Sequence, residues 1–312
     1  MKTFDQHTID SSGAFLVGEL ERLDKALHMP LASVTWGRDI DLRTDVTLAD
    51  EMSSFTNSSF AAAGGVNPNG KNWVSGSSTE IASIAVDISK TGAPMRLWAL
   101  ALPWSVIELA KAEQLGRPLD QQKHAGLKLK HQMDVDEMVY VGDALLGATG
   151  LINNQSVAPL SVSNEWTAAT PPDVMLDDIN AIIDQAWLQS AYAVCPERLL
   201  LPPRKYSMLT RPVTSAGSKS ILKYVAEECV ANGVNGKPLD IQPLKWLTGR
   251  GTGGKDRAVA YTKNEMYVRF PMVPLQHTPV EFRGLHQITT YFGTLGEMEF
   301  VYPETVAYAD GL

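Results

Sequence analysis

Gly249-Arg250-Gly251-Thr252-Gly253-Gly254-Lys255-Asp256 is the segment whose residue types come nearest to a known chemistry, the cradling of a phosphate. It satisfies G-x-x-x-x-G-K but puts Asp256 where a phosphate loop needs a hydroxyl for Mg²⁺. Arg257-Ala258-Val259-Ala260-Tyr261 follows with the pattern of a strand, so no helix N-terminus faces the loop. A flexible loop between two strands is the expectation, and no cofactor is expected. Six histidines, His7, His28, His124, His131, His277 and His286, lack the company that metal binding requires. His124 and His131 lie about two turns apart on one helix face without a His-Glu-x-x-His pattern or a nearby cysteine, and Lys123, Lys128 and Lys130 suggest that this face is solvated. Asp134, Asp136 and Glu137 crowd the same helix, and a carboxylate pair does acid–base work only when burial splits its pKa values. A solvated face is the expectation there too.

Arg204, Lys205, Arg211, Lys219 and Lys223, with Tyr206 and Tyr224 among them, could form a shallow anion-binding face. They show no repeated basic-aromatic spacing, and ordinary surface is the expectation. No G-x-S-x-G elbow is present. Cys195 and Cys229 are too few for a disulfide framework or a zinc cluster. The search therefore predicts no catalytic, cofactor or metal residues and favours a structural role.

The elements that would carry these residues begin with an amphipathic helix over 9–29, where Phe15, Leu16, Leu20, Leu23 and Leu27 recur at helical spacing before Pro30. An extended stretch follows over 31–50, then a Ser-, Asn-, Gly- and Ala-rich excursion over 53–79 of about 27 residues, long enough to suggest a functional or partner-ordered segment. Ile81–Asp87 and Met95–Leu102 are predicted strands with Lys90-Thr91-Gly92-Ala93-Pro94 as a turn. Pro103-Trp104-Ser105 is predicted to open a helix running through Glu113. The strongest helical segment runs from Leu119 to about Leu146, with Leu127, Met138, Val141 and Leu145 on one side and Leu129, Met133 and Tyr140 on another. At 1.5 Å per residue it would span about 40 Å.

A compact α/β unit is predicted next. It has helices over 173–191 and 218–232, the latter stopped by Gly233, and strands over 198–201, 239–247, 257–262 and 266–270. The proline-rich 271–279 would interrupt the chain before strands over 285–292 and 298–307.

With 27 Lys+Arg against 35 Asp+Glu the net charge is −8, which argues against a polyanion binder. A hydrophobic content of 44% is that of an ordinary globular chain and excludes the disordered and collagen-like classes. The N-terminus lacks the basic start and apolar stretch of a secretory signal. The most apolar run, 95–110, is broken by Arg96, Pro103 and Glu108, short of the roughly 18 residues a membrane span needs.

The order of features resembles the major capsid proteins of tailed bacteriophages, whose shell fold encapsulins also use. Four stretches carry the likeness. They are the long helix running into Gly150-Leu151-Ile152-Asn153-Asn154; the arm before it with Ala85-Val86-Asp87-Ile88 and Trp104-Ser105-x-x-Glu108-Leu109; Pro196-Glu197-Arg198-Leu199-Leu200-Leu201-Pro202-Pro203; and the ending Glu299-Phe300-Val301-Tyr302-Pro303-Glu304-Thr305-Val306-Ala307-Tyr308.

The resemblance implies an α+β fold. Residues 1–50 would be an N-terminal arm, 51–100 an extended β-hairpin loop, 101–160 a peripheral domain with a long spine helix, and 161–270 an α/β axial domain. Residues 271–312 would return to the peripheral domain and end in a terminal strand. It further implies a non-enzymatic head protein that forms hexamers and pentamers and closes an icosahedral shell around double-stranded DNA, which it touches weakly. Partners would be the chain itself in many copies, portal and scaffold proteins and decoration proteins, with no membrane. The place would be the virion, assembled in the host cytoplasm.

The hairpin cannot bury both its faces alone, so it needs a neighbouring subunit, to which Trp73 and Trp98 would add contact area. Lys71, beside Asn67, Asn69 and Asn72, is the residue type for the lysine-to-asparagine crosslink of some members. That chemistry needs a catalytic acid held across subunits, and no crosslink is expected. Only about 30 residues of helical pattern precede Pro30, so a separate scaffold protein or none, and no large propeptide, is the expectation. An encapsulin-like compartment holding cargo enzymes, or an α/β enzyme using the 249–255 loop for a phosphate-bearing ligand, are the alternatives.

Overall fold

In the computed structural model of the chain the described residues are 31–62, 76, 84–108, 119–162, 165–213 and 219–312. The helix expected over 9–29, Lys71 and Trp73 lie outside them. A short helix, α1 (Trp36–Asp39), turns directly into β1 (Asp41–Arg43). β2 (Met52–Ala62) and β3 (Ile84–Pro94) pair antiparallel along their whole lengths, from Met52 opposite Pro94 to Ala62 opposite Ile84. The turn expected at 90–94 is therefore absent. Lys90, Thr91, Gly92 and Ala93 stay extended because Thr56, Phe55, Ser54 and Ser53 supply the facing ladder, and the Met95 amide closes it on the Glu51 carbonyl at 2.9 Å. The hairpin is thus made by β2 and β3.

β4 (Arg96–Ser105) leaves for a different sheet, and the helix expected from Pro103 starts only at Val106. Pro103 is accommodated because β4 has only one ladder partner among the described residues, β11, which leaves an edge on which no amide is needed.

Helix α2 (Leu119–Tyr140) ends six positions before Leu146 and spans about 33 Å. Gly142, at φ 72°, donates to the Glu137 and Met138 carbonyls, and a 3₁₀ turn at Ala144–Leu146 follows. The chain then doubles back on the helix end, with the Leu151 amide on the Val139 carbonyl at 2.8 Å and the Ile152 amide on that of Tyr140 at 3.1 Å. Gly150 is needed there, since a Cβ would run into the Tyr140 backbone. The buried side of α2 is Leu127, His131, Val135 and Val139, whereas Met133 and Leu145 are exposed, so the expected apolar faces are rotated.

The remaining elements are β5 (Pro159–Ser161), α3 (Pro172–Gln189), β6 (Arg198–Leu201), α4 (Pro203–Leu209), α5 (Ile221–Glu228), α6 (Val230–Asn235), β7 (Asp240–Pro243), β8 (Arg257–Tyr261), β9 (Val268–His277), β10 (Glu281–Arg283), β11 (His286–Leu295), β12 (Glu299–Phe300) and β13 (Ala307–Asp310). The helix expected over 218–232 is two helices. Cys229 leaves helical geometry at ψ 159°, and the Asn180 side chain of α3 takes the Val230 amide that a continuous helix would use. Gly236, at φ 69°, ends α6 in place of Gly233. Residues 271–277, expected to interrupt the strand, continue β9. Pro271 pairs with β1, and Pro274 falls at the register shift between β9 and β11, where the ladder needs no donor. The expected strand over 298–307 is broken by a 3₁₀ turn at Pro303–Thr305 into β12 and β13, which join different sheets.

Five strands in the order β5-β13-β8-β6-β7 form one sheet, while β1-β9-β11-β10, with β4 on β11 and β12 on β9, form another. Alternate residues of the five-stranded sheet enter two cores. Leu199, Leu201, Ala258, Ala260, Ala307 and Ala309 pack with Ile179, Ile182 and Ile183 of α3. Leu200, Val259, Tyr261 and Tyr308 pack with Val139, Tyr140, Leu151 and Phe270, joining the sheet to α2 and β9. Burial on both faces explains why Leu199-Leu200-Leu201 shows no alternation.

Candidate assembly surfaces and the groups that orient them

Short polar joints fix the angle between the two sheets. Asp39 of α1, fully buried, accepts from Arg38 Nε at 2.7 Å, Tyr140 Oη at 2.5 Å and Arg198 Nη1 at 3.3 Å, while Tyr261 Oη donates to its carbonyl at 2.7 Å. Burial first, and then the Asp39 charge, push the Tyr140 hydroxyl far above its ordinary pKa, so it stays a donor. Asp136 of α2, also fully buried, holds the Thr35 and Trp36 amides at 2.7 and 3.1 Å, Trp246 Nε1 at 2.7 Å and Lys245 Nζ at 3.2 Å. The expected solvated face is thus in part a set of inward anchors. Asp134 accepts from Trp98 Nε1 at 2.9 Å. His131, also expected in solvent, is buried edge-on against Trp98, because that face of α2 is the one laid on the sheet.

The root of the β2–β3 arm is clamped by Glu299. Its buried carboxylate accepts from Arg43 Nη1 at 3.1 Å, from Arg269 Nε at 2.7 Å and from the Ser53 hydroxyl. Arg43 also donates to the Ser54 carbonyl at 3.0 Å, and Asn57 Nδ2 reaches the Val301 carbonyl at 3.0 Å. Further out the arm turns apolar side chains to solvent: Val86 is 52% and Ile88 67% exposed, on the same face as Lys90. Among the described residues the ribbon has no third strand.

Trp98, expected at a contact between subunits, is half-buried on its own chain against His131 and Asp134.

The 249–256 loop sits before β8, but it is pinned, by its own Asp256 and by Asp310 of β13. Asp310 Oδ2 accepts the Thr252 amide and hydroxyl, both at 2.8 Å, and Asp256 Oδ1 accepts the Gly249 amide at 3.0 Å. The Gly251 amide closes on the Lys255 carbonyl at 2.7 Å. Internal groups thus take the amides that a phosphate would need. Burial alone would raise the Asp310 carboxyl, but the Arg257 guanidinium and the Thr252 bonds outweigh it and hold it below its ordinary range.

Of the basic set, Lys205 is buried and donates to the Trp166 carbonyl at 3.0 Å, Arg211 reaches the Ala168 carbonyl at 3.0 Å, and Lys219 and Lys223 pair with Glu227 at 2.7 and 3.7 Å. Cys195 and Cys229 are free and buried, and burial, then Cys229, push the Cys195 thiol up to about 11. Among the described residues no group of three or more His, Cys, Asp or Glu could hold a metal ion, and no helix is long and apolar enough to cross a membrane.

The whole arrangement is similar to solved shell proteins. The capsid of Myoviridae phage XM1 superposes with a TM-score of 0.75 at 18% identity, covering 95% of this chain and 98% of that one. The capsid of a native GTA particle gives 0.64 at 9% identity, covering 97% of each chain. The SrpI encapsulin of Synechococcus elongatus gives 0.52 at 11% identity, covering 100% and 96%. None of the curated protein sequences compared matches the chain significantly. Residues 70–312 match the major capsid protein family, a span that takes in α2, the five-stranded sheet, every strand of the other sheet except β1, and the terminal strand; the chain belongs to that family.

Proposed function

We propose that this chain is the repeated wall subunit of a tailed-phage head, assembling through hexamers and pentamers into an icosahedral shell around double-stranded DNA. The observation that carries the reading, beside family membership, is the β2–β3 arm. Eleven residues of each strand form a two-stranded ribbon, fixed at its root by Glu299 and apolar on an open face. An isolated ribbon of this kind is marginal in water, and the surface of a neighbouring copy supplies what it lacks.

In this reading residues 51–100 contain the arm, 101–160 with 271–300 form the peripheral part around α2 and β9–β11, and 161–270 form the axial part around α3 and strands β6–β8, whose sheet β5 and the terminal β13 complete. The role is structural and not enzymatic, carried out in the virion after assembly in the host cytoplasm, with portal, scaffold and decoration proteins as partners. The DNA contact is weak, in keeping with a net charge of −8. An encapsulin-like compartment is told apart by its contents, protein cargo in place of nucleic acid.

The test is the double substitution Val86→Asp with Ile88→Asp. Both side chains are more than half exposed, so the change should leave the circular dichroism spectrum and the melting temperature of the dissociated subunit within about 0.5 kcal/mol of the parent. It should abolish particles in sedimentation velocity. Shells forming at the parent's yield and size would refute the arm as an assembly element.

A further inference from the structure

The side of α2 that lies on the β4–β11–β9 sheet carries imidazoles where an aliphatic seam would be expected. His124, Leu127, His131, Val135 and Val139 follow one another at spacings of three or four residues. Leu127, Val135 and Val139 are buried as such a seam should be, and so is His131, at 2% exposure. The His131 ring meets Trp98 of β4 edge-on with centroids 4.8 Å apart, and neither Nδ1 nor Nε2 has a hydrogen-bond partner. About two turns earlier, His124 lies 5.2 Å from Tyr291 of β11, which His277 of β9 approaches to 5.7 Å from its own strand.

A neutral imidazole carries one N–H and one lone pair, and an imidazolium carries two donors and a charge. Without an acceptor in reach the site disfavours the second form far more than the first. The charged group that acts on the ring is Asp134, one turn along α2, and its carboxylate is already taken by Trp98 Nε1 and by Lys130. From β4, the Arg96 guanidinium is spent on the Leu146 carbonyl at 2.9 Å. From α1, Trp36 Nε1 is bonded to Gln132 at 2.9 Å. From β11 and β9 come Tyr291 and His277, which face His124. A cavity of about 490 Å³ lined by Trp98, Asp134, Met138 and Leu295 adjoins the contact and gives water a way in when the seam parts.

We propose that His131 is an acid-operated release for the contact between α2 and β4, in which uptake of a proton by the buried ring unseats the helix from the sheet. Burial lowers the pKa of the ring in the closed seam, against a smaller opposing pull from Asp134, while an opened, hydrated ring has the ordinary value near 6.5. The opened state therefore binds the proton more readily. The contact is at full strength above about pH 6.5 and weakens as the pH falls below it. The release is a property of the single chain and does not rest on the shell reading.

The test is amide hydrogen exchange of the full-length protein at pH 7 and pH 5, corrected for intrinsic exchange rates. Opening of 96–105 and 122–135 should rise by up to about 25-fold at pH 5, the ratio set by an opened-state pKa near 6.5 and a closed ring that stays neutral. Exchange at the His131 C2 position in the same unmodified protein should report a pKa below the ordinary value near 6.5. His131→Leu and His131→Met, which keep apolar volume and remove the titration, should make opening of these segments independent of pH between 7 and 5. An unchanged opening in the parent, an ordinary His131 pKa, or the same pH response in the variants would each overturn the proposal.

Discussion

Asp310 shows what single residues do in this molecule. Its carboxylate binds Arg257 at 2.6 and 2.8 Å and pins the glycine-rich loop through Thr252. Asp310→Asn leaves Arg257 buried without its counter-charge and should cost about 3 kcal/mol at pH 7 in urea denaturation. Because the folded pKa lies below the ordinary 3.8, the stability it contributes is present above that value and is lost as the pH falls through the folded pKa. The gap between parent and variant should therefore narrow below about pH 4, and a gap constant down to pH 3 would contradict the assignment. The departure of the 249–256 loop from a phosphate site was legible in Asp256 and in the strand after it. The inward turn of Asp136 and His131 was not. Charged and uncharged positions alternate along α2 without a clean apolar stripe, and only the packed sheet decides which side faces inward.

At the scale of elements, the arm root is the contact most exposed to a single change. Glu299→Ala would leave Arg43 and Arg269 facing each other over an empty site, and the expected outcome is a loss of about 3 kcal/mol with faster amide exchange over 52–57. Glu299→Gln, which keeps two acceptor lone pairs and loses the charge, should fall between. Unaltered exchange in both variants would mean that the arm is held by its ladder alone. Elements bounded by local signals were readable: α3 from Pro171-Pro172-Asp173, β6 from its apolar run ahead of Pro202, and α2 from its length without proline. Those decided by distant partners were not. Lys90-Thr91-Gly92-Ala93-Pro94 has turn composition, yet it is strand because 52–56 lies opposite, and the break at Cys229 depends on Asn180 of another helix.

At the scale of the whole molecule, two sheets share one core through Tyr261, Tyr308, Val139 and Phe270, and α1 locks them through Asp39 and Asp136. The arm has an open apolar face that finds no cover within the described chain, and in the proposed shell copies of the same subunit cover it. The resemblance to shell proteins was readable from the order of short motifs along the chain, each weak alone, because that order follows the order of elements. The angle between the sheets and the arm's true strands lie in pairings that no local pattern encodes. The measurement that bears most directly on the account is sedimentation velocity with negative-stain microscopy, on the full chain expressed alone and together with the products of its flanking genes. The account predicts closed particles, or five- and six-membered rings, in at least one of the two preparations. A 34.0 kDa monomer in both would contradict it.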